Sequence, residues 1–324
     1  MLSDGTTKTL HDGKQTVKID DSLVIGPSGR VAGGWLFIKG EAGGPFQTGT
    51  LQADGKFQPL GPQNTRGILK SPDGSKVAVT LAAGKGKTKV LVLDVATRKE
   101  IASVTLPHQT TVLWAWNQAG LWFGEDYKVG AQPLLWQPGQ GQPVQLTIPG
   151  FDLGLEGATD SDKVQVVTRT NKGESWCMKL GSAQGTGFAV DRQYCGSGGR
   201  AFYPVVSPDG RTMVHPGSSL SADSRTEVQP QPVVIDVATG KATKLRLPRP
   251  ISDLPAPVFE DDTHLLFTGT GLRDKQPPKT PPSIGPDGSP VTAGISVIRC
   301  DVTSGDCKLV FTTPTGVRIK LGRP

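Results

Sequence analysis

In residues 65–107 the apolar positions fall into four short runs, RGILKS, KVAVTL, KVLVLDV and EIASVTL, separated by SPDG, AGKGKT and ATRK. Each run either alternates with polar residues or is continuously β-branched, the pattern of strands buried between two faces. Pro72 suits the second position of a tight turn, and Gly74 supplies the left-handed residue after it. The unit reads as four antiparallel strands, a to d. Tight turns join a to b and c to d, and a looser loop joins b to c.

The same signals recur along the chain. SPDGSKVAV (71–79) returns as SPDGRTMVH (207–215) and, degenerately, as FEDDTHLLF (259–267). LVLDVATRKE (91–100) returns as VVIDVATGKA (233–242) and VIRCDVTSGD (297–306). Asp73 and Asp209 are 136 residues apart, and Asp94 and Asp236 are 142 apart, each close to three units of about 46 residues. Residues 21–62, 108–150, 151–196, 198–250 and 251–314 parse as further units. An N-terminal hairpin, TTKTLHDGKQTVKI, and a C-terminal strand, TGVRIKLG, are left over. Four-stranded units at this spacing predict an all-β propeller. The expectation is a single domain over 1–324 with seven blades, the last closed by both chain ends; six blades with loose ends is the alternative.

The SPDG-plus-strand and DVATG hairpin patterns resemble the TolB-like and WD-repeat-like propellers of bacteria, most specifically in three units. The resemblance implies a protein-binding scaffold, or the non-catalytic half of a serine peptidase, and carries no catalytic motif. The peptidase's α/β-hydrolase half is expected to be missing, since the chain ends soon after the last unit.

Composition agrees with short strands. Glycine (42) and proline (27) supply about a fifth of the 324 residues, too much punctuation for a helical protein. The mean hydropathy is −0.24, and no apolar run approaches the ~20 residues of a membrane helix. Thirty-five Lys and Arg against 29 Asp and Glu give a mildly basic net charge of +6. The one dense cationic run, Lys85, Lys87 and Lys89, has no aromatics interleaved. It reads as a solvated loop rather than a nucleic-acid site.

The four cysteines lack metal-site spacing. Cys300 and Cys307 face each other across the hairpin IRCDVTSGDCKL, and Cys177 and Cys195 lie on successive strands. The two local pairings are expected, against four free thiols as the alternative, and disulfides imply an oxidising compartment. MLSDGTTKTL lacks the apolar core of a signal peptide. The expectation is an extracellular or cell-surface protein whose signal or anchor is absent from this chain.

No G-x-S-x-G elbow, metal motif or dinucleotide fingerprint occurs, and Gly86-Lys87-Thr88 lacks the rest of a phosphate loop. No cofactor or metal is expected. Trp114, Trp116, Trp122 and Trp136 are read as packing between blades, with an aromatic platform as the alternative. The proline-rich stretch 273–290 reads as an exposed loop.

Propeller geometry supplies the site. The d–a connections and b–c loops share one face, and the tight turns share the other. The loops at 84–89, 125–131, 215–231 and 271–293, carrying Lys85, Lys87, Tyr127, Arg225, Arg273 and Lys275, elaborate the first face. Asp21, Arg66, His108, Asp152, Arg200 and Asp253 enter the a strands and line the mouth of the channel there. They are the expected ligand-binding residues, ordinary solvated strand starts being the plainer alternative. The function expected is non-catalytic recognition of a protein, peptide or glycan by a monomer. The alternative is a lyase or hydrolase using Asp152, Asp253 and His108 as its acid/base set.

Overall fold

The computed structural model describes residues 2–3, 8–12, 15–19, 24–40, 46–107, 111–125, 131–170, 175–197, 205–215, 232–248, 257–270, 295–313, 318–319 and 321. Among them there is no helix, and none long and apolar enough to cross a membrane. The described strands form six four-stranded sheets and one three-stranded sheet, each antiparallel, with neighbours consecutive in the chain except where the last strand joins the first. The fold is an all-β propeller.

Sheet 1 holds strands Val24–Val31, Gly34–Lys39, Gln47–Leu51 and Phe57–Gln63. Sheet 2 holds Thr65–Lys70, Lys76–Ala82, Thr88–Asp94 and Glu100–Leu106. Sheet 3 holds Thr111–Asn117, Gly120–Glu125, Leu134–Trp136 and Val144–Gln145. Sheet 4 holds Phe151–Gly157, Val164–Thr170, Ser175–Gln184 and Gly187–Ser197. Sheet 5 has Thr212–His215, Val233–Asp236 and Ala242–Lys244, with Val206 bridged to Met213 ahead of them. Sheet 6 has Val258–Phe259, His264–Thr270, Ile295–Asp301 and Cys307–Thr312. In the closing sheet, Arg318–Ile319 pairs with Leu2–Ser3, followed by Lys8–Asp12 and Gln15–Ile19.

The apolar pattern explains why sheets stack in series. In sheet 2, Val77, Val79, Leu91 and Leu93 pack against Val31, Leu36 and Leu60 of sheet 1. Their alternates Ala78, Val90 and Val92 pack against Trp116, Leu121, Phe123 and Trp136 of sheet 3. A strand with period two thus feeds two cores, one on each side. Four more apolar walls repeat this between the closing sheet and sheet 1, sheets 3 and 4, sheets 4 and 5, and sheets 5 and 6. The first strands of sheets 1 to 4 run beside one another and form the innermost layer.

Every second-to-third strand pairing in sheets 1 to 6 runs in unbroken register. The bulges lie on the flanking strands. Four fourth strands carry one, with Ile101, Asp191 and Val310 among the extra residues. A bulge twists an edge away from unwanted pairing. The exposed large apolar residues Ile101, Val190, Leu309, Val310 and Phe311 lie on these bulged outermost strands, and Val144 lies on the unbulged fourth strand of sheet 3.

Both expected disulfides are present, Cys177–Cys195 and Cys300–Cys307, each with a Cα–Cα distance of 4.0 Å. In each the cysteines sit directly opposite one another and tie a third strand to a fourth.

Candidate binding face

Each first strand runs from the loop face to the turn face, and in sheets 1 to 4 each is bulged. In sheet 2, Thr65 faces Leu81 and Gly67 faces Thr80, which leaves Arg66 as the extra residue. In sheet 3 the extra residue is Trp114, between the pairs Leu113–Phe123 and Ala115–Trp122. In sheet 4 the shift spans Phe151 to Leu155 and includes Asp152. Sheet 1 shifts twice between Ile25 and Gly29. Bulges re-aim side chains that a regular pleat would send into the sheet interface. Two of the sequence-derived mouth residues, Arg66 and Asp152, stand at these positions.

Arg66 is exposed, and no ion pair involves it among the described residues. The side chain of Asp152 is 11% exposed and forms an ion pair with Arg169 on the neighbouring strand. Arg66 and Asp152 are separated by the first strand of sheet 3, so each belongs to a different sector of the mouth. Asp21, His108, Arg200 and Asp253 lie outside the described residues, as does the convergence of Asp152, Asp253 and His108. So do most of the loops at 125–131, 215–231 and 271–293 and the stretch 273–290.

Two mouth residues escape sequence reasoning. Arg169 has no motif around it and is recognisable only from its pairing with Asp152. Trp114 clusters in sequence with three other tryptophans, but Trp116, Trp122 and Trp136 are buried in inter-sheet walls, while Trp114 packs against the wall between sheets 3 and 4 and stays partly exposed. Its ring meets Phe151 edge-on, with centroids 5.4 Å apart. Gly124 makes room for it: a Cβ there would come within 2.2 Å of the indole.

The turn face is consumed by the fold. Ser71 Oγ donates to Asp73 Oδ1 at 2.6 Å, while Ser75 N and Oγ donate to the same carboxylate at 3.0 and 2.7 Å. The Ser71 bond, then those of Ser75, hold the Asp73 carboxyl at about 2, below its ordinary 3.8. Asp209 repeats the cap with Ser207 and Arg211 N. In the DVATR and DVATG turns, Asp94 and Asp236 accept from the backbone N–H and hydroxyl of Thr97 and Thr239.

These turns also latch adjacent sheets. Ala32 N donates to Gly74 O, Asp160 N to Pro208 O, and Asp209 N to Asp262 Oδ1. Arg192 of sheet 4 donates to Val237 O and Ala238 O in the last tight turn of sheet 5. Arg246 donates to the Asp306 carboxylate and to Ser304 O in the corresponding turn of sheet 6. Burial and the nearby charges of Asp209, Asp160 and Asp261 push the Asp262 carboxyl up, although the Asp209 N–H partly offsets them.

Glu260, Asp261 and His264 bring ligand-type atoms within 4.8 Å of one another. Their partners are structural: Arg299 Nε donates to Glu260 Oε2 at 2.5 Å, and Asp261 caps Thr263 N and His264 N at 2.8 Å. Burial alone would raise the Asp261 carboxyl, but the bonds from Thr263 and His264 outweigh it and hold it at about 2.

No protein-family model matches the chain, and no curated protein matches its sequence. Solved structures do match. The tricorn protease superposes with a TM-score of 0.58 at 11% identity, over 90% of this chain and 30% of its own. The β-propeller domain of Cps50 (Swd1) from Myceliophteria thermophila superposes with a TM-score of 0.51 at 12% identity, covering 94% of this chain and 87% of that one. A putative TolB from Agrobacterium tumefaciens reaches 0.45 at 14% identity, over 80% and 86% of the two chains. At these identities the likeness to the first two shows the propeller fold and no activity.

Proposed function

We propose that the chain is a single, seven-bladed propeller domain acting as a non-catalytic binding scaffold outside the cell. It recognises a protein, peptide or glycan through the loop face and the channel mouth beneath it. The observation that carries this reading is the division of labour between faces. On the turn face the repeat aspartates and turn backbones are engaged within the molecule. On the loop face the first-strand bulges turn Arg66, Trp114 and Asp152 out of the regular pleat. The seven-blade count follows from treating the three-stranded sheet as a blade. The two disulfides are compatible with an extracellular setting.

The enzyme alternative would need Asp152 for proton transfer, and that carboxylate is already paired with Arg169. The test is capture of partners on the immobilised protein. Arg66→Ala with Arg200→Ala should weaken retention of the captured partner, whereas Asp73→Ala with Asp209→Ala should lower stability and leave affinity unchanged in the folded fraction. Loss of binding in the second pair alone would put the site on the other face.

A further inference from the structure

Sheet 2 carries cations at both ends but carboxylates at only one. Its carboxylates, Asp73, Asp94 and Glu100, sit at or beside the turn face, while residues 65–70, 77–93 and 101–107 contain no Asp or Glu. At the loop end stand Arg66, displaced by its bulge, and the b–c loop with Lys85 and Lys87. All three are exposed, and none has an ion pair among the described residues. Lys89 is different: it reaches Glu100 at 3.1 Å.

The loop itself is fixed. Lys87 N donates to Gly84 O at 3.0 Å, and Ala83 N to Lys87 O at 2.9 Å. Gly84, Lys85 and Gly86 all have positive φ, at 74°, 49° and 72°. Lys85 and Gly86 thus form the centre of a mirror-image turn that favours Asn or Gly at the position Lys85 holds. A side chain kept at an unfavourable backbone position points to a use for that side chain.

We infer that Arg66, Lys85 and Lys87 form a recognition patch for an acidic peptide segment. The inference rests on the loop-face reading above and narrows its ligand. Three cations without an ion pair among the described residues, spread over a first strand and a loop, complement several carboxylates along a chain better than one small anion. A single-stranded nucleic acid would need aromatic platforms for its bases; residues 65–107 contain no Phe, Tyr or Trp, and Trp114 on the adjacent first strand is taken up edge-on by Phe151.

The test is fluorescence anisotropy of a fluorescein-labelled twelve-residue peptide of alternating Glu and Gly, with its Lys–Gly counterpart and a twelve-nucleotide oligothymidylate as comparison probes. The full chain should bind the Glu peptide, and added salt should weaken the binding. The variant Arg66→Ala/Lys85→Ala/Lys87→Ala should weaken it by about tenfold or more. Lys99→Ala/Lys241→Ala, on turn-face residues, should leave it unchanged, with far-UV circular dichroism confirming that each variant is folded. No binding of the Glu peptide, equal loss in both variants, no loss in the triple variant, or tighter binding of the oligothymidylate would each overturn the patch. If a captured partner is released by Arg66→Ala with Arg200→Ala but retained by Lys85→Ala with Lys87→Ala, the patch fails while the mouth reading stands. Release by turn-face substitutions alone would remove both.

Discussion

Replacing Asp73 with asparagine isolates the charge of one turn-face cap. Asparagine is nearly isosteric, and its side-chain carbonyl can still accept from Ser71 Oγ and Ser75 N, so the main loss is the negative charge those donors stabilise. The folded carboxyl sits at about 2 against 3.8 unperturbed. A carboxyl held that far below its unfolded value is worth about 2.4 kcal/mol. Asp73 is exposed, so solvent screening reduces this to about 1 kcal/mol.

A depressed carboxyl stabilises the fold above its unfolded pKa and loses that contribution as pH falls through the folded value. The advantage of the native aspartate over the Asp73→Asn variant should therefore be complete at pH 7, roughly halved by pH 3 and gone below about pH 2. Urea unfolding of both proteins at several pH values measures this from midpoints at constant slope. A difference that is independent of pH would refute the charge argument. A difference that grows on acidification would mean that the carboxylate is worse accommodated folded than unfolded.

Other consequences can be measured directly. Mass spectrometry of an unreduced digest should find Cys177 linked to Cys195 and Cys300 to Cys307, and removing the pairs by alanine substitution should cost about 3 and about 2 kcal/mol respectively on the chain-entropy estimate. Under limiting reductant the first pair should open first, because its more accessible sulfur, Cys195, is exposed whereas that of the second, Cys307, is only partly so and its partner Cys300 is fully buried; equal rates would count against the burial argument. Trp122 is fully buried, and its Nε1–H donates to Asn117 Oδ1 at 3.0 Å, so Trp122→Ala should cost about 3–5 kcal/mol in urea unfolding. A cost under about 1 kcal/mol would mean that the wall between sheets 3 and 4 tolerates collapse.

The turns, the repeat and the disulfides were legible because their causes are local. SPDG carries its own cap, with Ser71, Asp73 and Gly74 all inside the same few residues. Cys300 and Cys307 are separated by a single turn. The bulges were not legible, because a bulge is a mismatch between two strands rather than a property of one. Nothing in TRGILK marks Arg66 as the extra residue until Thr65 and Gly67 are seen facing Leu81 and Thr80. The latches were hidden for the same reason: Arg192 meets Val237 and Ala238 only after two sheets have been placed side by side. The alternation of Val77 and Val79 with Ala78 announced burial on both faces, but not which neighbours would supply it.

The closing sheet has one geometric consequence for how the molecule can be held. Arg318–Ile319 is its innermost strand and runs from the loop face towards the turn face, while Leu2–Ser3 beside it runs antiparallel. The polypeptide therefore enters this sheet and leaves it at the same end of the propeller, the end away from Arg66, Lys85 and Lys87. Whatever is reached through the outer ends of these two strands stands behind the disc, and the loops are presented outward like the dial of a mounted clock.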